Sequence, residues 1–123
     1  MPCAVAKLLP LLGYAACLLT LAAMTGINLY AGPRIATAQV PMQWSLSGEP
    51  TWFAGKIVGL WFPVLIALVV GASLLLKARQ GGAPSGGWAD GADWLVLLGA
   101  CSLLLCVHAW HVSAVMAWAA KQS

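Results

Sequence analysis

Two histidines are the side chains in this sequence best suited to chemistry. His108 and His111 are three residues apart in a long apolar segment, so a helix would place both on one face. A histidine can bind a metal ion, relay a proton or contact a ligand near neutral pH. A metal site needs further ligands, however, and no carboxylate lies in that segment, while haem would need a histidine from an opposing helix. We therefore predict no metal and no cofactor.

The apolar surroundings favour a structural interpretation of the two histidines. A polar side chain inside a bilayer is costly and usually faces another helix. Thr25 and Asn28, in the first apolar segment, lie at a comparable depth and are the expected hydrogen-bond partners of His108 or His111. A ligand contact or a proton relay is the alternative interpretation.

Other groups that take part in catalysis are few and scattered. Glu49, Asp90 and Asp93 are the only carboxylates, and Glu49 would lie across the membrane from the other two. That placement leaves no pair of general acid and base. The four cysteines contain no C-x-x-C pair, and the sequence has no phosphate-binding loop. We predict neither an enzyme nor a disulfide framework.

The elements that position these residues follow from the composition. Of the 123 residues, 62% are apolar and only 7% are charged, and the mean hydropathy is +0.89. A soluble domain carries about 25% charged residues. Three charge-free segments, 8–31, 57–76 and 94–120, each contain the roughly 20 residues that a helix needs to cross a bilayer. The composition excludes a secreted globular enzyme and a nucleic-acid binder with a basic face.

We predict one all-α membrane domain over residues 1–123, with three transmembrane helices and an ordered extracytoplasmic loop between helices 1 and 2. The expected helices are about 5–31, 55–77 and 93–120, with a loop motif at 33–54 and a Gly-rich linker at 80–92. Gly32 and Pro33 should end the first helix. Pro63 should bend the second helix, and Asp93 should cap the third.

Positive charges indicate a cytoplasmic N-terminus by a narrow margin. Lysine and arginine are favoured on the cytoplasmic side of a membrane protein. The N-terminal amine, Lys7, Lys77 and Arg79 would share one side, against Arg34, Lys56 and Lys121 on the other. The loop at 33–54 and the C-terminus would then lie outside.

Small residues recur at helical spacing on the second and third helices. Such stripes let two backbones approach closely in lipid, and we expect these two to pack together. They are Gly55, Gly59, Pro63, Ala67 and Gly71 on the second helix and Gly99, Ser102, Cys106, Ala109 and Ser113 on the third. The opposite face of the third helix carries both histidines, and we expect helix one or another protein to cover it.

The loop between the first two helices has the most distinctive sequence in the chain. It combines turn-forming residues with aromatic residues that favour the membrane interface. Its notable positions are Pro41, Gln43, Trp44, Gly48, Glu49, Pro50, Trp52 and Lys56. One interpretation is a re-entrant or interfacial cap that orients the second helix, with Lys56 reaching the headgroups. The other is a binding loop.

This loop resembles that of a membrane-protein family known as domain of unknown function 1648, also found at the front of immunity proteins for a sporulation-delaying toxin. The family pattern is P-x-H-W-N-x-x-G-x-P-D, followed by a Lys or Arg before the next helix. The matching positions are Pro41, Trp44, Gly48, Pro50 and Lys56, whereas Gln43, Ser45 and Thr51 depart from it. The resemblance covers residues 10–75 and implies a small multi-pass protein of the bacterial cytoplasmic (inner) membrane with uncharacterised activity.

Two functions remain open from the sequence. The first is a protein whose outer loop senses or binds something at the membrane surface. The second is an accessory or structural subunit of a larger membrane complex, covered by partners. For the chain as a whole, the expected partners are the lipid bilayer and either further copies of itself or another membrane protein. We expect no nucleic-acid partner.

Overall fold

The computed structural model describes residues 3–80 and 89–122. The described residues form three helices and a two-stranded sheet. The helices are α1 (Cys3–Ala31), α2 (Lys56–Arg79) and α3 (Ala89–Ala120), and the strands are β1 (Gln39–Trp44) and β2 (Pro50–Gly55), with a short 3-10 turn at Gly32–Arg34. All three helices are long and apolar enough to cross a membrane, as the composition predicted.

The third helix begins earlier than expected. It starts at Ala89, so the positions 89–92 assigned to the Gly-rich linker are helical, and positions 81–88 lie outside the described residues. Asp93 is therefore inside α3 and is not its cap, which corrects the prediction. Its carboxylate lies 3.8 Å from the Lys77 ammonium near the end of α2. The second helix continues without interruption through Pro63.

The loop between α1 and α2 contains a β-hairpin, so the all-α prediction is incomplete. The strands pair antiparallel, with Val40 opposite Ala54 and Pro41 opposite Phe53. The turn needs Gly48, whose φ of 86° lies in the left-handed region that side chains with a Cβ avoid. The Gly48 amide donates to the Ser45 carbonyl over 3.0 Å. Pro41 is tolerated because each strand of a two-stranded sheet is an edge strand.

The hairpin buries residues of its first strand, β1, against the helices. Val40 and Pro41 of β1 are buried, and the register shift after Pro41 leaves Met42 in a bulge. Around Val40 lies a buried apolar cluster from all three helices and the hairpin: Ala31, Ile35, Val40, Leu60, Val112, Val115 and Ala119. A second cluster at the other end of the helices contains Leu9, Ala78, Trp94, Leu97 and Cys101.

Outward-facing positions on the helices are also apolar. Leu18 of α1 is 70% exposed, and Leu103 of α3 is 64% exposed. Helices that are apolar on every side are typical of chains surrounded by lipid. The fold therefore has the surface expected of a transmembrane bundle.

The predicted pairing of the two small-residue stripes is wrong. On α2, Gly59, Ala67 and Gly71 are buried and Gly55 is exposed, but they do not meet the small residues of α3. A Cβ atom on Gly59 would overlap the Val40 side chain of the hairpin, and one on Gly71 would lie 3.9 Å from the Cys17 sulfur of α1.

The small-residue stripe of α3 faces outward. Gly99, Ser102, Cys106 and Ser113 are exposed, and Ala109 is half-buried. The histidine face turns inward instead, because its larger apolar side chains and His108 gain more from burial and from a hydrogen-bond partner. Ser102 tolerates exposure because its hydroxyl donates to the Leu98 carbonyl of its own helix over 3.0 Å.

Candidate functional site

One amide side chain joins the three helices at their most polar buried point. His108 of α3 is 1% exposed and Asn28 of α1 is 2% exposed. The His108 Nε2 and Asn28 Oδ1 atoms are 2.8 Å apart, and Asn28 Nδ2 donates to the Leu60 carbonyl of α2 over 2.7 Å. The predicted bond between His108 and Asn28 is confirmed. Thr25 is half-buried and forms no hydrogen bond with either histidine within the described residues.

The Asn28 side chain also determines the tautomer of His108. Its amide nitrogen is committed to a carbonyl, so its oxygen must accept the bond from His108. The His108 Nε2 therefore carries the proton in the neutral ring, and Nδ1 is a bare acceptor. That Nδ1 atom is buried and has no hydrogen-bond partner among the described residues, although the Met24 carbonyl of α1 lies close to the His108 ring.

The second histidine lies one helical turn along α3. Its ring is close to the Gly59 carbonyl of α2. Pro63 lacks the N–H that would bond this carbonyl within the helix. The His111 Nε2 atom is buried, and no described residue bonds it.

A tryptophan from the hairpin completes a set of three unpaired ring nitrogens. Trp44 is the last residue of β1 and packs against the cluster around Val40. Its Nε1–H, which can only donate, is buried and lacks a partner in the described part of the chain. Trp44 belongs to β1 whereas both histidines belong to α3, and the hairpin brings the tryptophan to the histidines.

These three rings line one cavity of about 370 Å³, which we call the histidine cavity. Its other lining residues are apolar: Met24, Met42, Phe62, Pro63, Ile66, Leu104, Val107 and Trp110. Phe62, Ile66 and Val107 are 49%, 40% and 53% exposed, so the cavity opens on the outer apolar surface between α2 and α3. The unpaired nitrogens of these three lining residues are themselves buried.

The predicted loop residues divide between a packed base and an exposed tip. Pro41 is buried, Trp44 and Pro50 are half-buried, and Gln43 and Glu49 are exposed. Trp52 is 56% exposed.

The base of the hairpin is fixed by a lysine and an aromatic pair. Lys56 donates to the Ile35 carbonyl over 2.6 Å, so it ties α2 to the chain before β1 where we expected it to reach the headgroups. Phe53 contacts Trp118 of α3 with 5.6 Å between ring centroids. These contacts support the interpretation that the hairpin orients α2, and they also hold Trp44 over the histidine cavity.

The remaining reactive side chains that the structure describes include three cysteines. Cys17 of α1 and Cys101 of α3 have neighbouring thiols that line a smaller cavity of about 160 Å³. Both are free thiols, as is the exposed Cys106. Among the described residues, no group of three or more His, Cys, Asp or Glu side chains is arranged to hold a metal ion.

Sequence reasoning identified both histidines and Asn28 but not the contribution of Trp44 to the same site. The sequence does contain a pattern typical of a strand that ends at Trp44. Val40, Met42 and Trp44 alternate with more polar or turn-forming residues at the spacing of a strand. Pro41 within that run argued against a strand.

Comparisons with known proteins assign no relative to this chain. No family model, curated protein or solved structure matches it. The resemblance of its loop to the domain of unknown function 1648 stays a prediction.

Proposed function

We propose that this chain is a small multi-pass membrane protein that binds a lipid-soluble molecule in the histidine cavity. The observation that carries the proposal is that three residues lining one otherwise apolar cavity each have a buried ring nitrogen without a hydrogen-bond partner among the described residues. Such a combination of apolar walls and a few polar groups is typical of small-molecule sites.

The energetic cost of the unpaired atoms supports a ligand. A buried donor or acceptor without a partner costs about 1–3 kcal/mol. The His108 acceptor and the Trp44 donor each carry this cost in the free protein. A ligand with hydrogen-bonding oxygen atoms would remove part of it, and that gain adds to the burial of the ligand's own apolar surface.

The size and position of the cavity support a ligand that arrives through lipid. Its volume of about 370 Å³ lies within the roughly 300–1,000 Å³ of small-molecule sites. Its mouth is formed by apolar side chains on the outer surface of α2 and α3, so an amphiphile could enter sideways from a bilayer. The protein would bind or sense the molecule without catalysis.

The proposed setting is the bacterial cytoplasmic membrane, with the N-terminus inside and the hairpin outside. The distribution of lysine and arginine supports this orientation. The proposed location in a membrane is supported by three long apolar helices whose outward side chains are apolar.

Photolabelling in nanodiscs tests the proposed function. The probe is a long-chain alcohol that carries a diazirine, and the labelled peptides are identified by mass spectrometry. We expect labelling of α2 and α3 around the cavity, and its loss in Val107→Trp, which fills the mouth. Val96→Trp is the matched control, because Val96 is 55% exposed on the same helix and does not line the histidine cavity. Equal labelling of both variants and the wild type would contradict the proposal.

The second candidate function is an accessory subunit of a membrane complex. The observation that favours it is the outward stripe of small residues on α3, which allows close approach of another helix. The partner would be a different membrane protein. Mass measurement after gentle extraction tests this: a heteromeric assembly supports a subunit, whereas a monomer or a homo-oligomer excludes it.

A further inference from the structure

We propose that the histidine cavity selects a neutral lipid-soluble molecule that donates a hydroxyl hydrogen to His108 Nδ1. This inference rests on the proposed function and adds the chemical class of the ligand. The class comprises long-chain alcohols, phenols and similar molecules whose head group is an uncharged hydroxyl.

The hydrogen-bond chain through Asn28 determines the direction of the bond. Leu60 offers a carbonyl, which can only accept, so the Asn28 amide nitrogen donates to it. The Asn28 oxygen then accepts from His108 Nε2. The opposite ring nitrogen of the neutral histidine is left with a lone pair and no proton. A ligand that faces this atom must therefore donate.

The other polar groups of the cavity fit the same head group. Trp44 Nε1–H can only donate, so it needs an acceptor oxygen. The hydroxyl group is the smallest that both donates and accepts. A ketone, ester, ether or quinone offers acceptors alone, which suit Trp44 but leave His108 unpaired.

The absence of charge around the cavity favours a neutral ligand. No charged side chain is among the described residues that line it. An ionised carboxylate or phosphate there would lose its hydration without a countercharge, which is strongly unfavourable. It would also place acceptor oxygens against the acceptor at His108. The ligand's hydroxyl must therefore be attached to an uncharged head.

Competition between two matched ligands tests the inference. In the photolabelling assay, 4-nonylphenol and its methyl ether 4-nonylanisole compete with the diazirine alcohol, with each concentration expressed as a mole fraction in the bilayer. The two competitors differ in one donor hydrogen. We expect the phenol to halve labelling at about a tenfold lower mole fraction, since one hydrogen bond to a buried acceptor is worth about that factor. Equal potency, or no competition by either, would overturn the inference.

The variant His108→Phe gives a second measurement. Its readout is the ratio of the mole fractions at which the two competitors halve labelling. Phenylalanine retains the ring and removes the acceptor, so the two competitors should become equally potent while labelling persists. This ratio does not depend on the fraction of folded protein. A retained tenfold preference in His108→Phe would show that the hydroxyl bonds elsewhere. If the wild type is not labelled at the cavity, the proposed function is refuted. If it is labelled but the phenol and its methyl ether compete equally, only this inference is refuted.

Discussion

Replacement of Asn28 by leucine should destabilise the protein by about 2–4 kcal/mol. The amide makes two buried hydrogen bonds, of 2.7 and 2.8 Å, and each joins a different helix to α1. Hydrogen bonds between membrane helices average about 0.6 kcal/mol each, so their direct loss amounts to roughly 1 kcal/mol. Most of the destabilisation comes from His108, which is 1% exposed. Its Nε2–H would be left without a partner in the apolar interior, at a cost of about 1–3 kcal/mol.

The matched control for this substitution is Thr25→Leu. Thr25 lies one turn earlier on the same helix and is half-buried, and no described residue bonds its side chain. It should change the free energy of unfolding by less than about 0.5 kcal/mol. The assay is reversible unfolding in mixed micelles as the mole fraction of SDS is raised, followed by circular dichroism. If Asn28→Leu and Thr25→Leu shift the transition equally, the bridge does not hold the helices together.

Three further predictions concern the hairpin and the helix ends. Gly59→Ala should destabilise the protein by about 1–3 kcal/mol, because the added methyl overlaps a hairpin side chain. The control is Gly26→Ala, whose methyl meets no atom within 4 Å. It should stabilise α1 by up to about 1 kcal/mol in the same unfolding assay. Gly48→Ala should cost about 1 kcal/mol because of its φ of 86°, and an unchanged unfolding transition would mean that the turn adopts another conformation. Lys77→Ala should change stability by less than about 1 kcal/mol, since the Lys77 and Asp93 side chains are 71% and 36% exposed; a larger loss in low salt would contradict this.

The helices and the buried polar pair were predictable from the sequence for one physical reason. Lipid offers a polar side chain no hydrogen-bond partner, so His108 is expected to face another helix. Asn28 is among the few polar residues at the same depth. The same argument placed the histidine face of α3 inward. It could not distinguish His108 from His111, because that choice depends on how α1 and α3 rotate against each other.

The hairpin and the orientation of the small residues were harder to predict. Two short strands gain their stability from packing, and β1 is buried because Gly59 leaves space for Val40. That space is a property of the assembled fold and does not appear in the local sequence. The stripe on α3 was assigned to the interior because small residues allow close packing, but lipid also accepts them when a hydroxyl such as that of Ser102 bonds its own helix.

The protonation of the His108 ring tests the central claim most directly. The chain contains only two histidines, so selective ¹⁵N-histidine labelling in nanodiscs gives two assignable rings, with His111→Phe removing one. We predict that His108 is a neutral ring protonated at Nε2, and that 4-nonylphenol moves its Nδ1 resonance in the direction of an accepted hydrogen bond while 4-nonylanisole does not. A ring protonated at Nδ1, or an Nδ1 resonance unchanged by a saturating amount of the phenol, would contradict the account.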